Sequence, residues 1–357
     1  MPDLTNYGYS SFFAEQAGSE GLIPARVTAA YRELYIVMCM HGEVYARLTG
    51  SLYFAGRLFP AVGDFVLIRY NNRGESMIAA VLDRRSKFSR SDFSGHAAEY
   101  VKTVLEQVVA ANFDYVFILA SLNHDFNIRR IERYLAAAWQ SGGTPVVLLT
   151  KADLVPEPAE KVREVEQVAI GVDVHAVSVV AGYGLDALSA YLRPGKTVVF
   201  LGSSGVGKSS LLNALAGKEI MKVNTIREDD SKGRHTTTHR ELHMLPCGEM
   251  VIDTPGMREI GMLDVSEGLG HTFADVEELA CRCRFSDCRH ETEPGCAIKE
   301  AIANGMLAQE RWDAYRKLAA EARFAGDKAG YLKEKQQWQK SIAKITRQKK
   351  KNGGIKR

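Results

Sequence analysis

Residues 202–210 read GSSGVGKSS, and residues 148–153 read LLTKAD. In the first, Gly202, Gly207, Lys208 and Ser209 fill the pattern G-x-x-x-x-G-K-[ST], directly after the apolar run TVVFLG and directly before the helix-like LLNALAG. Such a loop turns backbone N–H groups inward around phosphates, here from Gly202, Ser203, Ser204, Gly205, Val206, Gly207, Lys208, Ser209 and Ser210. Lys208 then reaches the β and γ phosphates, and the Ser209 hydroxyl ligates Mg²⁺. The second stretch has the chemistry to read a base. Asp153 can accept hydrogen bonds from the N1–H and 2-amino groups of guanine, which adenine does not offer, and the Lys151 stem can lie across the ring. In an ordinary GTPase the base-reading element follows the phosphate loop; in this chain it precedes it.

Position decides whether TKAD is an accident of composition. The runs DYVFILA (114–120), PVVLLT (145–150), DVHAVSV (173–179) and TVVFLG (197–202) are near-continuous apolar segments of strand length. Such runs are expected of parallel strands buried on both faces. Between the first two lies IRRIERYLAAAWQSG, apolar at helical spacing and closing on Gly142 and Gly143. TKAD therefore falls at the C-terminal end of a parallel strand, where open α/β sheets bind ligands. Ser178 ends the next strand, placed to help close a base pocket. After the phosphate loop, GRHTTTHRE (233–241) offers a threonine for Mg²⁺. VIDTPG (251–256) then offers Asp253 for the metal and the Gly256 N–H for the γ-phosphate. The order is base, base, phosphate loop, magnesium threonine, switch aspartate, and it implies a circularly permuted GTPase.

The chain has 357 residues, 46% of them apolar, enough for two or three globular domains. No apolar stretch reads as a secretory signal or a membrane span, so a cytoplasmic protein is expected. From Pro24 to about Ser89, runs such as ARVTAAYRELYIVMC, GEVYARLTG and GDFVLIRY, punctuated by Gly, Asn and Asp, read as about five short antiparallel strands. Closing so small a sheet removes its edges, which favours an OB-like barrel that binds oligonucleotides, with an SH3-like barrel as the alternative. Residues 1–23 show no clean periodicity and read as an arm.

Of six cysteines, Cys281, Cys283, Cys288 and Cys296 crowd together with His290 among them. That clustering indicates metal rather than disulfides. Cys39 and Cys247 read as ordinary buried residues. Net charge is only +3, but residues 344–357 carry Lys344, Arg347, Lys349, Lys350, Lys351, Lys356 and Arg357 with no acid, a tail suited to RNA or another polyanion.

The stretches SLNHDFNIRRIERYL, LLTKADL, GSSGVGKSSLLNAL, GRHTTTHREL, DTPGMRE and CRFSDCRHETEPGCAI occur in the order found in the circularly permuted bacterial GTPases of the RsgA (YjeQ/YloQ) type. The chain resembles that family over most of residues 24–320. The resemblance implies a multidomain protein: an N-terminal all-β OB-like barrel, a central circularly permuted α/β P-loop GTPase and a C-terminal, mainly helical zinc-binding domain. The boundaries expected are 1–23 for the arm, 24–104 for the RNA-binding barrel and linker, 105–262 for the GTPase, 263–340 for the zinc and helical domain, and 341–357 for the basic tail. It further implies late maturation of the small ribosomal subunit, through binding to that particle and its rRNA, with GTP hydrolysis stimulated by the particle and coupled to release. A monomer that uses GTP and GDP and no membrane is expected.

The pattern also marks departures. Thr150 stands where an asparagine is common in the base motif, removing a side-chain amide while leaving Asp153. Met257 stands where many GTPases carry a water-orienting glutamine, so intrinsic hydrolysis is expected to be slow. His235 is the candidate to swing in as a catalytic group when the particle orders its loop; a surface histidine without that role is the alternative. Thr238 is the first choice for the magnesium threonine and Thr237 the second. The metal set is Cys283, Cys288, His290 and Cys296, four filled positions suiting one structural Zn²⁺ per chain. Cys281 is set aside because the family pattern starts at Cys283 and a C-x-C pair makes a cramped chelate. Two other readings stand beside this one: an RNA-binding scaffold with a structural nucleotide site, and an ATP-dependent nucleic-acid enzyme.

Overall fold

The computed structural model describes residues 2–18, 21–31, 34–55, 59–92, 105–221, 240–253 and 266–326. The chain divides into two units, Met1–Gly261 and Met262–Arg357. The first unit contains both β systems.

Its N-terminal part begins with a 3-10 turn, Leu4–Tyr7, and the short helix α1 (Ser11–Ala14). Helix α1 carries Phe13, fully buried, into a cluster with Phe65, Leu67 and Leu82. The arm is thus packed structure, anchored by one aromatic residue too isolated to give a periodic signal.

The strands β1 (Ile23–Ala30), β2 (Tyr35–Cys39), β3 (Gly42–Leu48), β4 (Phe65–Arg69) and β5 (Ser76–Val81) follow, with helix α2 (Gly50–Ala55) between β3 and β4. They close as a five-strand barrel in the order β1-β2-β3-β5-β4 and back to β1. All pairings are antiparallel except β3 with β5, which is parallel because α2 and β4 intervene as a crossover. Inward alternation fills the barrel with Val27, Val37, Cys39, Ala46, Val66, Ile68 and Ile78.

An antiparallel ribbon, β6 (Lys87–Asp92) with β7 (Leu105–Ala111), leads into the α/β core. The core comprises β8 (Tyr115–Ser121), α3 (Ile128–Gln140), β9 (Thr144–Thr150), α4 (Pro158–Glu166), β10 (Asp173–Ala176), β11 (Thr197–Leu201), α5 (Lys208–Ala216), β12 (Arg240–Met244) and β13 (Met250–Asp253). Spatial order is β10-β9-β8-β11-β13-β12. The first five are mutually parallel and β12 runs antiparallel to β13. From β8 the chain proceeds outward to β9 and β10, whereas after β11 it continues on the other side, so the direction of winding reverses between β8 and β11. That reversal opens a crevice at the strands' C-terminal ends.

Barrel and core share one sheet. A register shift in β1 between Val27 and Ala29 precedes a short ladder in which Ala29 and Ala30 pair with Glu241 and Arg240 of β12. Beneath it Arg26, 1% exposed, donates to the carbonyls of Gly63 at 3.2 Å, Asn112 at 2.8 Å and Tyr7 at 2.5 Å. Burial pushes its guanidinium down to about 9, which still leaves it charged at neutral pH. One side chain thus joins the arm, the barrel and the core.

The second unit is helical: α6 (Ser266–Thr272), α7 (Ala274–Ala280), α8 (Ala297–Ala303) and α9 (Gln309–Gly326). Arg311 of α9, 6% exposed, holds Asp275 of α7 at 2.9 Å and lies over the Phe273 ring. Among the described residues no helix is long and apolar enough to cross a membrane.

Candidate nucleotide site and metal centre

The residues singled out around the phosphate loop fall at the C-terminal ends of parallel strands. The loop leaves β11 at Gly202, and α5 starts at Lys208. Gly205 and Gly207 take φ of 76° and 103°, the left-handed region in which a side chain would be strained. Gly202 meets a different limit, because a Cβ there would lie 2.6 Å from the Leu119 carbonyl oxygen of β8. Lys208 folds back over the loop and donates from Nζ to the carbonyls of Gly202 at 2.7 Å and Ser203 at 2.6 Å. The ammonium is therefore held against the first two carbonyls of the loop.

The TKAD segment leaves β9 at Thr150. Lys151 has φ 57° and ψ 40°, a left-handed conformation unusual for a lysine, and a short 3-10 turn, Ala152–Leu154, follows. Such backbone costs roughly 1–3 kcal/mol and concentrates at functional sites. Ser178, 1% exposed, donates its hydroxyl to Asp153 Oδ1, while the Ala152 N–H donates to Val177 O at 3.1 Å. Ser178 is itself fixed by paired backbone bonds with Tyr183. The carboxylate of Asp153 is thereby oriented from the loop beyond β10.

Thr150 does more than fill the place of an asparagine. Its Oγ1, on a residue 5% exposed, donates to the Val206 carbonyl of the phosphate loop at 2.6 Å. A hydroxyl thus ties the TKAD segment to the glycine-rich loop. The sequence shows the lost amide but gives no sign of this replacement bond.

Asp253 ends β13 and is buried. Thr237, Thr238, His235, Gly256 and Met257 lie outside the described residues, as does the basic tail.

In the second unit, the loop between α7 and α8 brings Cys283, Cys288, His290 and Cys296 together, with their ligand atoms all within 4.8 Å of one another. His290 Nδ1 stands 3.5 Å from Cys283 Sγ and 3.3 Å from Cys296 Sγ. A tetrahedral zinc site with Zn–S near 2.3 Å has edges of roughly 3.5–3.8 Å, so the donor set fits that ion. His290 takes φ 60°, and its ring meets Trp312 of α9 edge-on at 5.2 Å. Glu293 accepts backbone N–H bonds from Arg289, Glu291 and Thr292. Its own backbone N–H, together with these bonds, holds its carboxyl down at about 2. The loop is thus organised by the protein itself. Cys281 is exposed and not part of the set. Cys247, expected to be an ordinary buried residue, is exposed in the turn between β12 and β13.

The family model described as RsgA GTPase matches residues 81–263, half of the chain. The chain belongs to the RsgA GTPase family. It is similar over most of its length to a curated relative, the small ribosomal subunit biogenesis GTPase RsgA 1 of Listeria innocua. Those two are 47% identical over 349 residues, covering 96% of this chain and 97% of that one. Among solved structures, YjeQ from Thermotoga maritima matches with a TM-score of 0.63 at 28% identity, covering 84% of this chain and 98% of that one. YloQ, described as a circularly permuted GTPase, matches at 0.60 and 26%, covering 86% and 96%. An ABC transporter model also matches residues 185–351, a span that includes the phosphate loop. Membership makes the chain a GTPase, and the order of strands around β11 is the permuted arrangement of the family's fold.

Proposed function

We propose that this GTPase is an assembly factor acting in late maturation of the small ribosomal subunit, binding its rRNA and using GTP hydrolysis to leave it. The observation that supports the reading most is the Thr150–Val206 bond, because it joins a guanine-reading loop to a phosphate loop across a permuted chain. The names of the relatives supply the particle. In this reading Asp153, oriented by Ser178, accepts from guanine, and Thr150 and Lys151 complete the base site. The loop from Gly202 to Ser210 with Gly256 holds the phosphates, and Lys208 neutralises the charge that develops between β and γ oxygens. Ser209, Thr238 and Asp253 would hold Mg²⁺, which when bound supplies Lewis-acid stabilisation of phosphate charge. His235 is the candidate group that the particle brings to the attacking water. Cys283, Cys288, His290 and Cys296 would hold one structural Zn²⁺, and the barrel, the metal domain and the tail would touch RNA. The protein acts as a cytoplasmic monomer.

The test is GTP turnover titrated with purified small subunits, with Lys208→Ala alongside. Turnover should rise with particle concentration in the parent and stay at background in the variant. A rate indifferent to the particle would leave an RNA-binding scaffold with a structural nucleotide site, and preference for ATP would point to a nucleic-acid-dependent ATPase.

A further inference from the structure

The crevice between β8 and β11 holds a closed triad of side chains. Arg130, in the first turn of α3, forks onto Asp125 with Nη1 at 2.6 Å from Oδ2 and Nη2 at 3.0 Å from Oδ1. Ser203, second residue of the phosphate loop, donates its hydroxyl to Asp125 Oδ2 at 3.0 Å and accepts from Arg130 Nη1 at 3.2 Å. The turn that presents Asp125 is fixed in its own right: Asn123 Oδ1 accepts the Asp125 N–H at 3.1 Å, and Asn127 caps α3 through the Arg130 N–H at 3.1 Å. Arg130's bonds, reinforced by Ser203 and the nearby charge of Lys151, hold the Asp125 carboxyl below the usual carboxylate range.

Ser203 therefore faces two ways. Its hydroxyl is engaged as both donor and acceptor, which fixes its rotamer, and its carbonyl, 2.6 Å from Lys208 Nζ, receives the phosphate-binding ammonium. The motif leaves the second loop position open to any residue, so phosphate chemistry alone does not call for a serine here.

We propose that Asp125 and Arg130 are positioning residues for Lys208, acting through Ser203. The proposal rests on the assignment of Lys208 to the phosphates made above. Asp125 and Arg130 are 47% and 35% exposed, so as an ion pair they contribute little by themselves. Their effect is to hold one peptide unit of the loop in the orientation that aims the ammonium. β-Phosphate is common to GTP and GDP, so losing the clamp should weaken both nucleotides alike.

The experiment uses the full chain and the variants Ser203→Ala, Arg130→Gln, the double variant, Ser203→Thr and Lys208→Ala. Steady-state GTP turnover and GDP affinity are measured beside the thermal midpoint. Ser203→Ala and Arg130→Gln should each raise KM for GTP and Kd for GDP by about three- to tenfold, the value of one net hydrogen bond. For Arg130→Gln kcat should stay within about twofold of the parent, and the thermal midpoint of neither variant should move. The double variant should be no worse than the singles, because both remove one linkage, and Ser203→Thr, which keeps the hydroxyl, should restore KM. If Lys208→Ala abolishes nucleotide binding while Ser203→Ala and Arg130→Gln keep the parent KM, or if their effects multiply, the clamp is refuted and the phosphate assignment stands. Parent-like binding by Lys208→Ala would instead remove that assignment, and the clamp with it.

Discussion

Thr150→Val exchanges one buried hydroxyl for a methyl group. The side chain is buried, valine matches it in volume, and the hydroxyl donates at 2.6 Å to the carbonyl of Val206, a residue itself 2% exposed. The variant leaves that carbonyl without its side-chain donor in the interior, a loss of about 1–2 kcal/mol. For a unit of this size the thermal midpoint should drop by roughly 2–6 °C. Nucleotide binding suffers by a separate route. If the bond pre-orders the phosphate loop, its absence means that binding itself must supply the order, and the penalty cannot exceed what the bond was worth. Affinity for GTP and for GDP should therefore fall together, by up to about thirtyfold. The preference for guanine over xanthine should persist, since Asp153 and Ser178 are untouched. Thr150→Ser keeps the oxygen and should bind like the parent. Titration with a fluorescent guanine nucleotide and a thermal melt, run on all three proteins, give both numbers. A valine variant that melts and binds like the parent would refute the link between the two loops, as would a serine variant that falls as far as valine.

Asp153→Asn should weaken GTP and improve xanthosine triphosphate, because an amide can donate to the 2-oxo group where a carboxylate cannot; an unchanged preference in a competition assay would detach TKAD from the base. The second unit should carry one Zn²⁺ per chain by metal analysis. Cys288→Ser should lower that content and loosen residues 266–326 in hydrogen exchange while β8–β13 keep their protection. His290→Ala should lower zinc content in the same way, and an undiminished content would count against this ligand set. Arg26→Ala leaves three carbonyls without their guanidinium donor and opens a cavity where arm, barrel and core meet. Unfolding of the first unit should become easier by about 3 kcal/mol or more in a denaturant titration, and a change under 1 kcal/mol would show that the junction is held by other contacts.

What could be read from the chain and what could not divide along a physical line. The phosphate loop, TKAD and the cysteine set are local patterns whose chemistry demands particular residues at short spacing, so they are legible without a structure. The parallel strands announce themselves because burial on both faces leaves unbroken apolar runs. Pairing partners leave no such mark. Nothing in RVTAA predicts that Ala29 and Ala30 will meet β12, two hundred positions away in the chain. Phe13 is one aromatic residue on a four-residue helix, below the length at which periodicity has meaning. The parallel contact of β3 with β5 is a property of barrel closure and not of either strand. Thr150 misleads in a more interesting way: the residue type shows which group is missing, while only the geometry shows that a shorter donor reaches the same loop. Asp125 and Arg130, charged residues in a turn, look like solvated surface until Ser203 is seen between them.

The ladder between β1 and β12 bears on whether the GTPase of this chain is a portable part. In an ordinary open sheet the outermost strand is blunted by charge, brevity or cover. Here the outer side of β12 is met by a strand from the N-terminal barrel. A fragment begun after the barrel, a natural choice for anyone wishing to study hydrolysis alone, would uncover that strand and would also lack the arginine that occupies the seam. It should be prone to associate with itself edge to edge, and kinetic values from it would describe an assembly and not the enzyme. Swapping in a foreign barrel would meet the same obstacle unless its first strand carried the register shift that brings Ala29 into line. The two parts form a single structural unit, in which a strand of the barrel is also a member of the catalytic sheet.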